Sequence, residues 1–544
     1  MKLSAEQKAA TAIDDNLVVN AGAGSGKTTV LTARYIRLLE EGGLAPAQIV
    51  AITFTKKAAR EMRERIDEQL AVLSRANARW QEAREQLISA PIGTIHSFYA
   101  RVLRAFPVEA GINPAFRVLD ELESSRMLDQ AVTAAFQQAA AEKCPYLALL
   151  TEILGAQALE EGGSLAQQIR HLYTTLLNRG IPVAEASLSE LYNELPPWQQ
   201  SRDNLDALAA GEAELAASLA GKDKPELIRT RRIVVQAARD LAALTEPSGL
   251  VELYPVLLAV TGLKGGRTKG HKEFISSGVL EVQNLLSRGL APVLGQAVLE
   301  LLGRLDRVFA EIKAKAGGLD FSDLQFAMWH LLQQPQVAAA LGKKYLTYMI
   351  DEFQDTDRLQ HRIIVRLVQQ EDYIPPGRLF IVGDAKQSIY RFRGADVGVF
   401  NLVRKQLTQG NPQREKRITC NFRSRKPLID LVNSLFSRLM GGEGEMEYIP
   451  LSSFRSGEAP CAEIVVCPED ADSLAAGEAA AMAARIREMV ERRELLVGDR
   501  DNPQPVKYGD VAILIRSRTH IKEYEHHLRL EGVPYTVAGG IGFF

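Results

Sequence analysis

The stretch Ala21-Gly22-Ala23-Gly24-Ser25-Gly26-Lys27-Thr28-Thr29 narrows the possible folds more than any other part of this chain. It follows an apolar run, Leu17-Val18-Val19. It precedes a stretch with apolar residues at Val30, Leu31, Ile36 and Leu39 that stops at Gly42-Gly43. Strand, Gly-rich turn and helix in that order let backbone N–H groups approach phosphate oxygens, with the helix dipole behind them. Lys27 is placed to hold the β- and γ-phosphates of ATP, and Thr28 to ligate Mg2+. The first position is Ala21, where the general pattern has Gly. The competing reading is a Gly-rich turn without a ligand.

The alternation continues. Ile49-Val50-Ala51-Ile52 is the next strand, and a basic helix begins near Lys57. This rhythm predicts a parallel, doubly wound α/β sheet. From about 106 to 310 the sequence turns rich in Ala, Leu, Glu and Gln at helical spacing, a helical insertion. Strands return at Tyr348-Met349-Ile350 and Leu379-Phe380-Ile381-Val382, and a second α/β region starts near 415 with strands at Ile464–Val466 and Val511–Ile515. At 544 residues the chain is too long for one core. The expected division is a first motor domain from 1–105 and 311–414, an insertion at 106–310, and the start of a second domain at 415–544.

Three further constellations carry chemistry. Asp351-Glu352-Phe353-Gln354-Asp355 follows an apolar strand. There Asp351 can hold Mg2+, and Glu352 can orient and deprotonate an attacking water. An isolated acidic pair at a strand end is otherwise a solvated turn. The run Gly383–Asp396 contains Gln387, which can reach a γ-phosphate, and Tyr390 and Phe392, which can stack on bases. Core aromatics beside salt-bridged arginines are the alternative. In Asn421-Phe422-Arg423-Ser424, Arg423 can neutralise charge on a transferring phosphoryl group, or be an ordinary surface cation.

Taken together, these constellations resemble a superfamily-one DNA helicase of the UvrD/Rep type. Leu3-Ser4-Ala5-Glu6-Gln7 is similar to the family's glutamine motif, which implies that Gln7 reads adenine. Thr53–Met62 and Gly93–Phe98 resemble its DNA-contact motifs, implying contacts by Phe54, Thr55, Thr94, His96 and Phe98; Lys56 stands where Asn is usual. Leu319–Leu324, Asp510–Arg516 and Gly539–Phe544 match further segments in order. The resemblance implies a RecA-like P-loop motor domain, a large helical insertion and an incomplete second RecA-like domain. It also implies ATP-driven, 3′-to-5′ translocation on single-stranded DNA. Phe422 would stack on adenine in place of the usual Tyr, Arg423 would be the arginine finger, and Phe392 stands where Trp often stacks on a base. The string KQSIYRFRGAD followed by NFRS, with the long insertion, resembles the AddA and RecB helicase–nuclease subunits, implying a role in break repair or recombination with a partner nuclease or helicase subunit.

Composition sets the remaining expectations. The formal net charge is -2, so contact with single-stranded or duplex DNA requires a local groove. The cysteines Cys144, Cys420, Cys461 and Cys467 lack metal-site spacing and read as reduced thiols. No run reaches the roughly 18 apolar residues of a membrane span, and the expected location is the cytoplasm. Residues 425–544 lack the family's later motifs, so the chain is expected to be truncated and to bind ATP while unwinding little or nothing. A turnover of roughly 1–100 s⁻¹ on single-stranded DNA would contradict that expectation. A P-loop ATPase of another class is the second reading, against which Gln7 and the QSIYRFRG loop argue; an ATP- and DNA-binding remnant without unwinding activity stays open. The basic loop Thr261–Lys272, with Lys264, Arg267, Lys269 and Lys272, reads as a solvated loop or as a duplex contact.

Overall fold

The computed structural model describes residues 3–75, 77–154, 164–187, 198–218, 225–243, 269–371, 373–440, 448–457, 462–467, 474–498 and 503–537. Most of the expected loop at 261–272, and the Gly539–Phe544 motif, lie outside them. The chain divides into two compact units: 1–423 with 436–452, and 424–435 with 453–544.

In the first unit the strands are β1 (Leu17–Ala21), β2 (Ile49–Thr53), β3 (Ile92–Thr94), β4 (Arg117–Val118), β5 (Gly318–Leu319), β6 (Thr347–Ile350), β7 (Leu379–Gly383) and β8 (Glu415–Ile418). Six form one sheet in the order β3-β2-β6-β7-β1-β8. Every pairing in it is parallel, with Leu17 opposite Phe380, Val18 opposite Glu415, Ile49 opposite Thr347 and Tyr348 opposite Leu379. Parallel strands need crossovers that cover both faces, so the inner strands β1, β2, β6 and β7 are almost wholly buried, while the edge strands β3 and β8 are less so. Val18, Val50, Ile52, Ile350 and Ile381 pack on one face, against helices Ile95–Ala105, Phe321–Leu332, Arg358–Val368 and Val397–Thr408. Val19, Ala51, Met349, Phe380 and Val382 pack on the other, against Lys27–Glu40 and Lys56–Ser74.

All six strands end at one edge of the sheet, where open α/β sheets bind ligands. Ala21, Thr53, Thr94, Ile350, Gly383 and Ile418 stand along that edge. Two of the six, β3 and β8, are not read as strands from the sequence. Residues 415–418 are placed by sequence in a second domain, yet they form the sheet's edge beside β1.

The short parallel pair β4 and β5 marks where the chain leaves and re-enters this core. Between them the described residues form helices Glu121–Ala141, Pro145–Leu154, Ser164–Asn178, Trp198–Ser218, Pro225–Ala242 and Lys269–Lys315. They close two small cores, one around Leu128, Ile169, Leu301 and Leu305, the other around Leu205, Val234, Leu241 and Ile275. Where the last helix returns, the buried Lys313 ammonium sits between Asp320 at 2.8 Å and Asp323 at 2.7 Å.

In the second unit, helices Leu474–Glu491 and Ile521–Leu530 pack through Ala483, Ile486 and Leu528. The expected strands at Ile464–Val466 and Val511–Ile515 are absent from its described residues. A strand needs a neighbour for its backbone groups, and Ile464 and Leu514 stand 93% and 94% exposed.

Candidate functional site

The loop after β1 turns on glycine. Gly24 and Gly26 have φ of +70° and +82°, a region costly to residues with a Cβ, and Gly26 caps the helix Lys27–Glu40. Ser25 donates from Oγ to the Gly22 carbonyl at 2.7 Å, closing the turn. The buried Gln7 donates from Nε2 to the Ser25 carbonyl at 3.0 Å. Its own backbone is held by a capping box with Ser4, so the N-terminal helix buttresses the loop.

The segment after β8 lies across the same loop. Asn421 donates from Nδ2 to the Ala23 carbonyl at 2.7 Å, and the Phe422 N–H donates to the Gly24 carbonyl at 2.8 Å. A Cβ on Gly24 would come within 2.8 Å of both Asn421 Nδ2 and Arg423 Cβ. Arg423 is thereby brought beside the phosphate loop, inside the first unit, and is exposed. Upstream, Glu6 fixes the turn before this segment by accepting from Thr419 N and Oγ1, both at 2.9 Å.

Opposite the loop stands the carboxylate cluster at the end of β6. Lys27 Nζ lies 2.7 Å from both Glu352 oxygens. Glu352 adopts φ +51°, a left-handed conformation rare outside Gly, Asn and Asp. Such strain concentrates at functional sites. Burial, reinforced by the Glu352 charge, pushes the Asp351 carboxyl up to about 6 against the opposing pull of Lys27. Asp355 rises to about 6 for the same two reasons. A cation at Asp351 would reverse that shift.

Two residues to which the sequence alone assigns no role connect this cluster to the next loop. The buried Gln354 donates to Glu352 Oε2 at 2.8 Å and accepts from Asp384 N at 3.0 Å. Asp384, also buried, accepts from Gln387 Nε2 at 2.8 Å and pairs with Lys386 at 2.9 Å. Gln387 is thus held by Asp384 in this state. The polar chain runs Lys27, Glu352, Gln354, Asp384, Gln387. Gln354 and Asp384 both sit inside motif-like strings, yet only burial reveals what they join.

Beside the cluster opens a cavity of about 800 Å³. Its walls include Phe54, Thr94, His96, Glu352, Tyr390 and Phe392. Tyr390 packs on Phe54 with ring centroids 4.4 Å apart and lies 5.9 Å from Phe392, which is 72% exposed. Thr55 and Thr94 cap the helices Lys56–Ser74 and Ile95–Ala105, accepting from Ala58 N and Ser97 N. Two adjacent helix N-termini therefore face the same edge, a setting that favours anionic groups. His96 stacks on Phe321 at 4.3 Å, and burial lowers its pKa to about 4, so it is neutral at physiological pH.

One expected contact is corrected. Phe98 is 3% exposed and packs edge-on against Tyr345 and Tyr348 at 5.4 and 6.2 Å. It belongs to the core, on the apolar face it shares with Val102 and Leu103. It does not reach the cavity.

A phosphate loop with an opposed carboxylate pair, hydrogen-bonded through Gln354 and Asp384 to the loop that bears Tyr390 and Phe392, defines the class. The chain belongs to the family described as UvrD/REP helicase N-terminal domain, which matches residues 3–408. Among particular relatives, it is 28% identical over 99% of its length to an ATP-dependent helicase/nuclease subunit of Bacillus mycoides, covering 49% of that protein. It is 29% identical over 97% of its length to the protein of the same name from Levilactobacillus brevis, covering 48% of it. The chain spans about half the length of the curated relatives it matches.

Proposed function

We propose that this chain is the ATP- and DNA-binding motor portion of a DNA helicase that moves 3′ to 5′ on single-stranded DNA. It would serve break repair or recombination in the cytoplasm, with a partner helicase or nuclease subunit. Among the described residues no helix is long and apolar enough to cross a membrane. The observation that carries the reading is the relay from Lys27 through Glu352, Gln354 and Asp384 to Gln387, which links the phosphate loop to the loop that also bears Tyr390 and Phe392, with Glu352 itself on the cavity wall. Its lysine is paired with the very carboxylate that would act as base.

ATP fits the loop because the glycines leave backbone N–H groups open to phosphate and Lys27 supplies the charge. Asp351 and the Thr28 hydroxyl are the groups that would hold Mg2+, an ion bound by one or two carboxylates together with substrate phosphates. The ion would supply charge neutralisation at the phosphoryl oxygens.

The chain's own residues do the rest. Lys27 exchanges Glu352 for phosphate, which releases the Glu352 carboxylate to orient water and take its proton. Gln354 keeps Glu352 in register during that exchange. Gln387, moving off Asp384, reports the γ-phosphate to the loop that bears Tyr390 and Phe392. Arg423, lying across the phosphate loop, stabilises charge on the transferring group. Gln7 and Phe422 serve the adenine end, with the Gln7 amide leaving the Ser25 carbonyl as the base arrives. Thr55 and Thr94, with the helix ends they cap, bind the DNA backbone. Phe54, His96, Tyr390 and Phe392 line the path of the bases.

The test is dissociation of end-labelled oligo(dT) during ATP hydrolysis. Release that depends on ATP and Lys27, with a lag at a 5′-end label that lengthens with the oligonucleotide and no lag at a 3′-end label, supports the reading. Release indifferent to ATP contradicts it.

A further inference from the structure

We propose that Glu121 and Asn178 of the helical insertion are positioning residues for the aromatic loop, holding Phe392 and Tyr390 ready to stack on a base. This rests on the cavity being the single-strand path. Phe392 stands 72% exposed, so the ring is not fixed by the sheet's own core. What fixes its stretch of backbone comes from two sides. Internally, Arg393 and Ala395 donate to the Tyr390 carbonyl at 2.9 and 3.2 Å. Externally, the insertion grips the loop at three consecutive residues.

At Phe392, the carbonyl accepts from Asn178 Nδ2 at 3.4 Å. At Arg393, the guanidinium pairs with Glu121 at 2.9 Å while lying 5.3 Å from the Tyr390 ring and 5.7 Å from the Phe392 ring. Glu121 thus holds the cation that bridges both stacking rings. At Gly394, φ is +87°, and a Cβ there would run into the Asn178 carbonyl oxygen. The loop can lie on the end of helix Ser164–Asn178 only because residue 394 has no side chain. The next turn repeats the device: Gly180, at φ +68°, leaves room for Leu359.

Glu121 and Asn178 also line the cavity together with Tyr390, Phe392 and Arg393. A strand in the cavity therefore meets a loop whose geometry the insertion sets. Stacking on a free ring costs rotamer entropy, and holding the loop beforehand removes part of that cost. The Glu121–Arg393 pair is 69% and 46% exposed, so its effect is modest and is screened by salt.

The experiment uses the full chain and an oligo(dT) carrying one fluorescent purine analogue, whose quenching reports stacking. A fluorescent ATP analogue serves as control for the phosphate loop. For Glu121→Gln with Asn178→Ala, we expect quenching to fall and oligonucleotide Kd to weaken about threefold to tenfold at low salt, the size set by one exposed ion pair and one hydrogen bond. ATP-analogue affinity should not change, and the Kd deficit should shrink as salt rises. Arg393→Glu should lose quenching, and Glu121→Arg added to it should restore part of it. Quenching and Kd equal to wild type in the double variant would overturn the proposal while leaving the cavity reading intact. A parallel loss of ATP-analogue affinity would also overturn it, by exposing a general structural effect. If the wild-type chain neither quenches nor binds the oligonucleotide, the cavity reading falls and the proposal with it.

Discussion

Replacing Asp351 by Asn should stabilise the nucleotide-free chain at neutral pH. Asp351 directly follows β6, and burial with the Glu352 charge raises its pKa from 3.8 to about 6. The folded state therefore holds this proton more tightly than the unfolded state. The stabilisation is fully present below about pH 4 and is lost as pH rises through about 6. Two pKa units correspond to up to about 3 kcal/mol, since each is worth roughly 1.4 kcal/mol. Asn keeps the shape without the charge. The variant's advantage should grow from about 1.5 kcal/mol at pH 5 to about 3 kcal/mol at pH 7.5, following the same linkage. For a unit of about 440 residues, with unfolding entropy of about 2.1 cal/mol/K per residue, that is a Tm increase of about 3 °C at pH 7.5. The assay is thermal unfolding of both proteins across pH 5 to 8 without nucleotide or divalent cation. Equal melting at every pH, or a less stable variant at pH 7.5, would refute the argument that an uncompensated carboxylate is stored here. Such a trade of stability for function is common at active sites.

Other variants separate roles that look alike in the sequence. Phe98→Ala should cost about 3–5 kcal/mol of stability as a core truncation. Phe392→Ala should leave stability within about 0.5 kcal/mol but weaken oligonucleotide binding by about 1–3 kcal/mol; chemical denaturation and a binding titration check the pair. Gly24→Ala should destabilise the loop by at least about 1–2 kcal/mol through its φ alone, and displace Asn421 and Arg423 as well, seen as lost affinity for a fluorescent ATP analogue. Lys313→Met should destabilise the chain by about 3–5 kcal/mol, because Asp320 and Asp323 are left without their buried cation, as denaturant unfolding would show.

Much of the site was legible because it is local. The phosphate loop is a strand, a glycine turn and a helix in succession, and Asp351-Glu352 follows an apolar strand directly. Other features depend on partners far away in the chain. β8 reads Glu-Lys-Arg-Ile, too polar to announce a strand, and it is one only because β1 lies beside it. Phe98 and Phe392 each sit in a motif-like string, and burial alone distinguishes them. Helical spacing with Val102 and Leu103 was the available clue for Phe98. Thr55 and Thr94 carried their own signal, since Thr before a helix is a cap. The insertion's grip on the aromatic loop joins Asn178 to Phe392 and Gly394, more than two hundred residues apart, and no periodicity encodes that.

On the proposed reading, the relay from Lys27 to Gln387 couples nucleotide binding to the loop that bears Phe392. Titration with a fluorescent ATP analogue and Mg2+, with and without oligo(dT), on the wild type and Lys27→Ala, tests it most directly. The wild type should bind saturably, with its Kd shifted by the oligonucleotide and the reciprocal shift required by linkage, and the variant should lose binding. Equal binding by the variant, or a wild-type Kd indifferent to oligo(dT), would contradict it.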